Sequence, residues 1–363
     1  MERLKVALVH EWLISWGGSE SVLLSLARLF PDAPIFTSVY KPDDRIKDEF
    51  TGRDIRPSAL QMIPGIRNLY RNTLPLMPWA FSRMDLSGFD LVISSSHAFS
   101  KAIQVNPRAI HLCYCHTPPR YLWDLSGLYN SGLLGALRRP ILRRLKRKDA
   151  QVAKGVTSFV ANSAYVAGRI SHSYRRDSTV IYPPVDVDKF ALQHGGDRTR
   201  YLAGGRMVQY KRLDRAIEVA NRRGMPLVVF GDGPERTRLA RMSGPTVEFT
   251  GSVSQAQLAE LIRHSRAFLF PGVEDFGILP VEVQAGGVPV IALARGGALE
   301  TVKSGETGLL YEDDSVEGLL DAVLRFEMEK FDPEACRKNA IRFSRDRFEE
   351  EVAAIVRRAL QRE

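Results

Sequence analysis

Glu274 and Glu282, with seven residues between them, lie between an apolar run and a Gly-rich turn. The stretch reads Ala267-Phe-Leu-Phe-Pro271-Gly-Val-Glu274-Asp275-Phe276-Gly277-Ile278-Leu279-Pro280-Val281-Glu282. Its apolar run predicts a buried parallel strand ending at Pro271. Pro280 is placed as the first helical residue, where a missing N–H costs no hydrogen bond. Glu282 then falls in the first helical turn and Glu274 in the loop before it. Both carboxylates would face the carboxyl edge of a sheet, beside unpaired helix N–H groups that attract a phosphate. Two acceptors and one anion cradle suit a sugar nucleotide, which has hydroxyls at both ends and a diphosphate between. An isolated pair of glutamates is more often solvated, or one of them complements a helix dipole. The surrounding residues decide between the readings.

Other loops carry compatible chemistry. Gly204-Gly205-Arg206-Met207-Val208-Gln209-Tyr210-Lys211 follows a predicted strand and precedes a helix at 213–221. Arg206 offers a fork for phosphate oxygens and Lys211 a point charge, and two such cations can offset charge on a departing diphosphate. A solvated basic loop is the plain alternative. Trp16-Gly17-Gly18-Ser19-Glu20 joins the first strand to a helix starting near Ser21, and its glycines let backbone approach a ligand. Gly231-Asp232-Gly233 follows another strand and is either a plain turn or part of a nucleotide-side wall. No G-x-G-x-x-G follows the first strand, which argues against a dinucleotide oxidoreductase. His116 closes the run Ala109–Cys115 ahead of Thr117-Pro118-Pro119, and His97 in Ser94-Ser-Ser-His-Ala is its rival. Asp186-Val-Asp188 is a D-x-D, but it sits at a proposed linker rather than after a nucleotide strand, so no metal site is expected.

Glu-x-Phe-Gly-Ile-x-Pro-x-Glu from Glu274 to Glu282, then Ala285-Gly286-Gly287-Val288-Pro289-Val290-Ile291, resembles the donor-site signature of retaining glycosyltransferases of family 4, which have the GT-B fold. The resemblance extends over nearly the whole chain. It implies that Arg206 and Lys211 grip the donor phosphates, that Glu274 holds sugar hydroxyls and that Glu282 holds the ribose. His116 would lie near the reacting carbon. The Gly17-Gly18 loop would face the diphosphate, and Gly205, Gly231, Gly233, Phe276, Gly277 and Ile278 would line the donor. Val9-His10-Glu11-Trp12-Leu13 and Cys113-Tyr-Cys-His-Thr-Pro-Pro-Arg-Tyr-Leu-Trp-Asp124 look like bacterial surface-polysaccharide mannosyltransferases. That match implies GDP-mannose as donor, a lipid-linked saccharide or glycolipid as acceptor, and no required cofactor. A UDP-sugar donor, or a GT-B epimerase acting on a nucleotide sugar, remains open. Val283-Gln284-Ala285-Gly286 departs from the Ala-Met-Ala common among relatives, a change in helix packing rather than in donor contacts.

Elements must position these residues. Short apolar strands alternate with helical stretches, the pattern of parallel α/β sheets. Strands are expected at 6–10, 34–37, 91–94, 110–114 and 158–161, and again at 200–203, 227–230, 247–250, 267–270 and 288–292. Several end in polar residues: His10, Ser94, His116 and Asn162. The tandem prolines of Ile181-Tyr-Pro-Pro-Val-Asp186 mark a break. The expectation is α/β of GT-B type: two doubly wound Rossmann-like domains, 1–180 and 181–342, facing across a cleft. The terminal helix at about 343–363 would return to the first domain, as in the resembled family.

With 363 residues, 44% hydrophobic and 26% charged, the chain has the composition of a globular protein large enough for two cores. No apolar stretch reaches membrane-spanning length and no signal pattern precedes the first strand. Three cysteines make no disulfide framework, and Cys113 and Cys115 are too close for zinc-knuckle spacing. A cytoplasmic protein is expected. The charge is uneven: 25 Lys and Arg against 14 Asp and Glu through residue 178, a balance of +11, then 26 against 28, or −2. Within 133–148, Arg138, Arg139, Arg143, Arg144, Lys146, Arg147 and Lys148 interleave with Leu133, Leu134, Leu137, Ile141, Leu142 and Leu145. Such a helix can rest on an anionic membrane surface, placing the protein peripherally on the inner face of the cell membrane. It can equally be a solvated face whose leucines pack on the domain. No nucleic-acid recognition motif accompanies it.

Overall fold

Along the first strand Leu8 points to one face of its sheet while Ala7 and Val9 point to the other, the two-residue period of extended chain. Burial on both faces requires helices on both faces, which is the doubly wound plan. The computed structural model describes residues 4–124, 132–190, 192 and 198–361, with the backbone alone for 132–138. Leu133, Leu134, Leu137 and Arg138 of the basic segment therefore lie outside the described side chains.

Contacts divide the chain into two units, 1–184 with 348–363 and 185–347. The first holds seven parallel strands in the order β3-β2-β1-β4-β5-β6-β7: β1 (Val6–His10), β2 (Ile35–Thr37), β3 (Ile55–Pro57), β4 (Leu91–Ser96), β5 (Ile110–Cys115), β6 (Ser158–Ala161) and β7 (Ser178–Val180). Helices α1 (Gly18–Leu29), α2 (Gly132–Val152) and α3 (Ala164–Tyr174) belong to this unit. The second unit holds six parallel strands, β10-β9-β8-β11-β12-β13: β8 (Arg200–Gly204), β9 (Leu227–Phe230), β10 (Val247–Gly251), β11 (Ser265–Phe270), β12 (Val290–Leu293) and β13 (Gly308–Tyr311). Its α4 (Leu213–Arg223) follows β8 and its α5 (Ile278–Ala285) follows β11. The last helix, α6 (Arg345–Leu360), buries Phe348, Val352, Ile355 and Val356 in the core of the first sheet, with Phe348 edge-on to Tyr114 at 5.6 Å.

In both sheets the strand order reverses direction once, between β1 and β4 and between β8 and β11. Chain connections leave on opposite faces there, and the strand ends open a crevice that suits a ligand. β3, β7 and β13 were not foreseen. All are edge strands of three or four residues. Such short pieces carry too little alternation to announce themselves. Helix α5 starts at Ile278, so Pro280 is its third residue and Glu282 its fifth, at the start of the second turn. The first-turn N–H groups have no helical partner, so proline is accommodated there without being first. Gly277, at φ 88°, makes the left-handed turn that lets the helix begin two residues early.

Candidate active site

Beside the β8–β11 reversal, the backbones that follow β8 and β9 approach within hydrogen-bonding reach. Gly205 N–H donates to Phe230 O at 3.0 Å and Met207 N–H donates to Asp232 O at 2.8 Å. This closeness explains Gly231: a Cβ there would lie 2.0 Å from Gly205 O, and its φ of 107° disfavours any side chain. Gly233 packs likewise on the Met207 backbone. The result is a wall of bare peptide beside the loop 205–211. On the other side, Gly297 N–H donates to Glu274 O at 2.9 Å, fixing the loop that precedes α5.

Lys211 and Glu274 come together in this unit, with Nζ 2.7 Å from Oε1 and both side chains largely buried. Burial alone would lower the Lys211 pKa, but the adjacent Glu274 carboxylate and its hydrogen bond reverse the outcome and raise it. The cation expected to grip phosphate and the carboxylate expected to hold sugar hydroxyls therefore meet at one point. Gly205 leaves room for them, since a Cβ there would sit 2.8 Å from Lys211 Nζ. Arg206 is exposed at the same loop and forms no ion pair among the described residues. Phe276 is buried edge-on against Phe343 at 5.3 Å, so its ring is a packing group of the unit's core. Ile278 and Glu282 are half-buried on the first turns of α5.

At the β1–β4 reversal the construction differs. His10 ends β1, Ser95 lies in β4 and His116 follows β5. His10 Nε2 is 3.3 Å from Glu20 Oε1, His10 Nδ1 is 3.1 Å from Ser95 Oγ, and Ser95 Oγ is 2.8 Å from His116 Nε2. Gly17 caps α1, Gly18 is its first residue, and a Cβ on Gly17 would sit 3.1 Å from Glu20 Oε2. His97 joins the cluster, its ring 6.1 Å from that of His116 and 6.4 Å from that of His10. The fold thus brings both candidate histidines together rather than choosing one. Burial, with His97 and His10 nearby, pushes the His116 pKa well down, so its imidazole is neutral near pH 7.

Two further constructions support this edge. The buried Glu11 carboxylate accepts from the backbone N–H groups of His97, Ala98, Phe99 and Ser100 and from the Ser96 hydroxyl, at 2.7–3.2 Å. Burial would raise its pKa, but His97, the Ser100 and Phe99 N–H groups and Lys101 bring it down. Glu11 thereby shapes the loop that carries His97. Just beyond, buried Lys101 pairs with buried Asp149 of α2 at 2.6 Å, and Asp149 also accepts from Trp123 Nε1 and Tyr174 Oη, each at 2.8 Å. Sequence inspection missed both clusters. The available signal was the polar ending of otherwise apolar strands, which flagged His10 but not its partners.

The remaining expected residues fall elsewhere. Asp186 pairs with Lys189 at 3.1 Å and with Arg345, and Asp188 pairs with Arg337 at 3.5 Å, so the D-x-D is occupied by cations of its own chain. Among the described residues no cluster of three metal-ligating side chains occurs. Cys113 and Cys115 are buried thiols outside any disulfide, and burial pushes the Cys113 thiol up to about 11. In the basic helix, Leu145 is buried and Leu142 is packed in the domain core, while Lys146 lies 4.3 Å from the Trp123 ring centre. Those residues fasten α2 to the domain. Ile141 is 51% exposed, and Arg139, Arg143, Arg144, Arg147 and Lys148 face outward.

Known proteins resemble this chain throughout. A family described as Glycosyltransferase Family 4 matches residues 16–189, and one described as Glycosyl transferases group 1 matches 185–343. A GDP-mannose-dependent alpha-mannosyltransferase of Mycolicibacterium smegmatis is 37% identical over 208 residues, 55% of each chain. A GDP-mannose-dependent alpha-(1-6)-phosphatidylinositol monomannoside mannosyltransferase of Mycobacterium tuberculosis is 30% identical over 51% of this chain and 55% of its own. A D-inositol 3-phosphate glycosyltransferase of Streptomyces scabiei is 28% identical over 45% of this chain and 44% of its own. The matches thus span about half the length of these curated relatives. Sucrose-phosphate synthase of Thermosynechococcus elongatus superposes over 99% of this chain and 100% of its own, with a TM-score of 0.72 and 17% identity. Anabaena Alr3699/HepE in complex with UDP superposes over 97% and 99%, with a TM-score of 0.70 and 16% identity. At those identities the likeness is one of fold, the GT-B architecture.

Proposed function

The chain belongs to glycosyltransferase family 4, and from that premise we propose that it transfers a hexose from a nucleotide sugar with retention of anomeric configuration. Mannose from GDP-mannose is the donor we favour, and a lipid-linked saccharide or glycolipid of the cell surface is the acceptor. The observation that carries the reading is the Lys211–Glu274 pair at the β8–β11 reversal, with Arg206 in the same loop and bare peptide alongside. In the reaction, the bond from the anomeric carbon to the diphosphate oxygen breaks and its electrons leave with the diphosphate. The acceptor oxygen bonds to that carbon from the same face, and its hydroxyl proton passes to the departing diphosphate oxygen. Arg206 and Lys211 stabilise the negative charge as it develops. Glu274 orients sugar hydroxyls, Glu282 holds the ribose, and His116 stands near the reacting carbon.

Support for mannose comes from the names of the GDP-mannose-dependent relatives. A UDP-sugar is the second reading, favoured by the UDP and UDP-glucose held by structural neighbours. A lipid acceptor fits a protein lying against an anionic bilayer through 133–148. The described residues contain no helix long and apolar enough to cross a membrane. The outward cations of α2 flank a groove of about 770 Å³ whose lining includes Trp79, Ile141, Arg144 and Arg147. This reading calls for no metal.

Incubating the protein with labelled GDP-mannose or labelled UDP-glucose and a lipid-linked saccharide fraction tests the assignment. The expected product is labelled glycolipid from GDP-mannose, formed equally with EDTA present. Glycolipid from the UDP-sugar alone would replace the donor, and an altered free nucleotide sugar without transfer would identify an epimerase. Complete loss with EDTA, restored by manganese, would revive Asp186 and Asp188.

A further inference from the structure

Four side chains far apart in sequence form one hydrogen-bonded line at the β1–β4 reversal: Glu20, His10, Ser95 and His116. The first three are buried, with His10 and Ser95 inaccessible and Glu20 4% exposed. An ionised carboxylate only accepts hydrogen bonds, a neutral imidazole donates from one nitrogen and accepts at the other, and a hydroxyl does both. Those rules give such a line a direction, and the direction starts at its one obligate acceptor.

We propose that Glu20 orders the protons of this line and thereby fixes which nitrogen of His116 is bare. Glu20 accepts the Ser19 hydroxyl at 2.9 Å on its other oxygen, so both of its oxygens face donors. His10 must then carry its proton on Nε2, and its Nδ1 accepts from the Ser95 hydroxyl. The Ser95 oxygen, having spent its proton, accepts from His116 Nε2–H. His116 is left with an unprotonated Nδ1, which has no partner among the described residues. A bare imidazole nitrogen accepts a hydrogen bond, so His116 is set to accept from a hydroxyl rather than to donate to one. Under the glycosyltransferase reading, on which this use of His116 rests, the hydroxyl belongs to the donor sugar or the acceptor. Glu20, His10 and Ser95 are positioning residues.

Other groups around the line agree with this order. His97, whose ring lies beside those of both His10 and His116, is itself disfavoured as a cation, chiefly by burial. Tyr114 presents its ring to His116 at 5.2 Å and gives its hydroxyl to Ile181 O at 3.0 Å, leaving the line alone. For Glu20 itself, burial would raise the pKa, but the hydrogen bonds that His10 and Ser19 donate to its two oxygens favour the charged form and bring it below its ordinary value. The carboxylate at the head of the line is therefore ionised.

Two-bond ¹⁵N–¹H correlation spectra of the full chain labelled at histidine nitrogen read the tautomers directly at neutral pH. Assignment comes from His10→Gln and His116→Gln. The expected spectra show protonated Nε2 and bare Nδ1 at both His10 and His116. Ser95→Ala should abolish the His116 preference, leave that of His10, and lower kcat about tenfold, the worth of one neutral hydrogen bond, with donor KM unchanged. An imidazolium at His10, or a proton on His116 Nδ1, in the parent protein overturns the proposal. An unchanged His116 tautomer in folded Ser95→Ala does so as well. If His116→Gln transfers sugar as fast as the parent while the parent's spectra are as expected, the ordering stands and the role given to His116 in transfer fails.

Discussion

The two sheet edges hold their polar groups by different means. At β8, β9 and β11 the work is done by backbone: glycines bring peptide within a Cβ's width of peptide, and few side chains are needed. At β1, β4 and β5 it is done by side chains bonded to side chains, with Glu11, Glu20, His10, Ser95, Lys101 and Asp149 all buried. A backbone cradle suits a ligand that brings its own charge, since the first-turn N–H groups of α5 and two cations lie at that edge. A wired cluster suits the handling of a proton or a hydroxyl, because each member dictates its neighbour's protonation. The difference teaches that the units are vulnerable in different ways, the first in its stability and the second in its turnover.

The largest expected effect lies in the wired unit. Asp149→Ala removes one member of a fully buried ion pair and strands Lys101, Trp123 Nε1 and Tyr174 Oη together. Leaving a buried charge uncompensated costs about 3–5 kcal/mol. Calorimetric unfolding should show that loss in the first unit alone, with the transition of the second unit in place. Replacing Arg222, whose pairs with Glu218 and Glu317 lie on the surface of the second unit, should leave both transitions unmoved. Equal losses for the two variants would erase the distinction between the units.

Next in size is a change in rate without a change in fold. Lys211→Ala should lower kcat about 100-fold, since a preorganised charge is lost where charge develops. Arg206→Ala should follow in the same direction, and circular dichroism should be unaltered in both. Because Arg206 is exposed and unpaired among the described residues, its replacement disturbs no partner. Near-parental turnover in both variants would remove these cations from the site.

Legibility in the sequence followed the same division. The donor-side edge could be read because its chemistry is contiguous: Gly204 to Lys211 and Pro271 to Glu282 each hold strand end, glycine and charge in one short loop. The parallel α/β plan and the GT-B fold were legible too, from alternating strands and helices and from the family motif. The wired edge was not, because Glu20, His10, Ser95 and His116 span more than a hundred positions and meet only when β1, β4 and β5 align. Nothing local marks Lys101 or Asp149 as buried, since isolated charges are usually solvated. The position of Pro280 was misjudged because proline is tolerated throughout a first turn and so marks its start only loosely.

The smallest effect separates the units by acidity. In the first unit burial keeps His97, His111 and His116 neutral, that of His111 down to about 3, with Lys101 adding to the effect. In the unfolded chain the same histidines take up protons near pH 6.5. Between those limits the unfolded state binds more protons than the folded one, so stability falls as pH falls. Glu11 and Glu20 act in the same direction at lower pH, since their folded pKa values lie below the ordinary carboxyl value that governs the unfolded chain. The described histidine of the second unit, His264, is half-exposed and lies 2.9 Å from Glu260. Acidification from pH 7 toward pH 4 should therefore lower the first unit's unfolding temperature steadily while the second follows more weakly. His111→Asn removes one titrating group and should flatten the first unit's slope between pH 6.5 and 4. Parallel slopes for the two units would show that the buried histidines do not govern acid sensitivity.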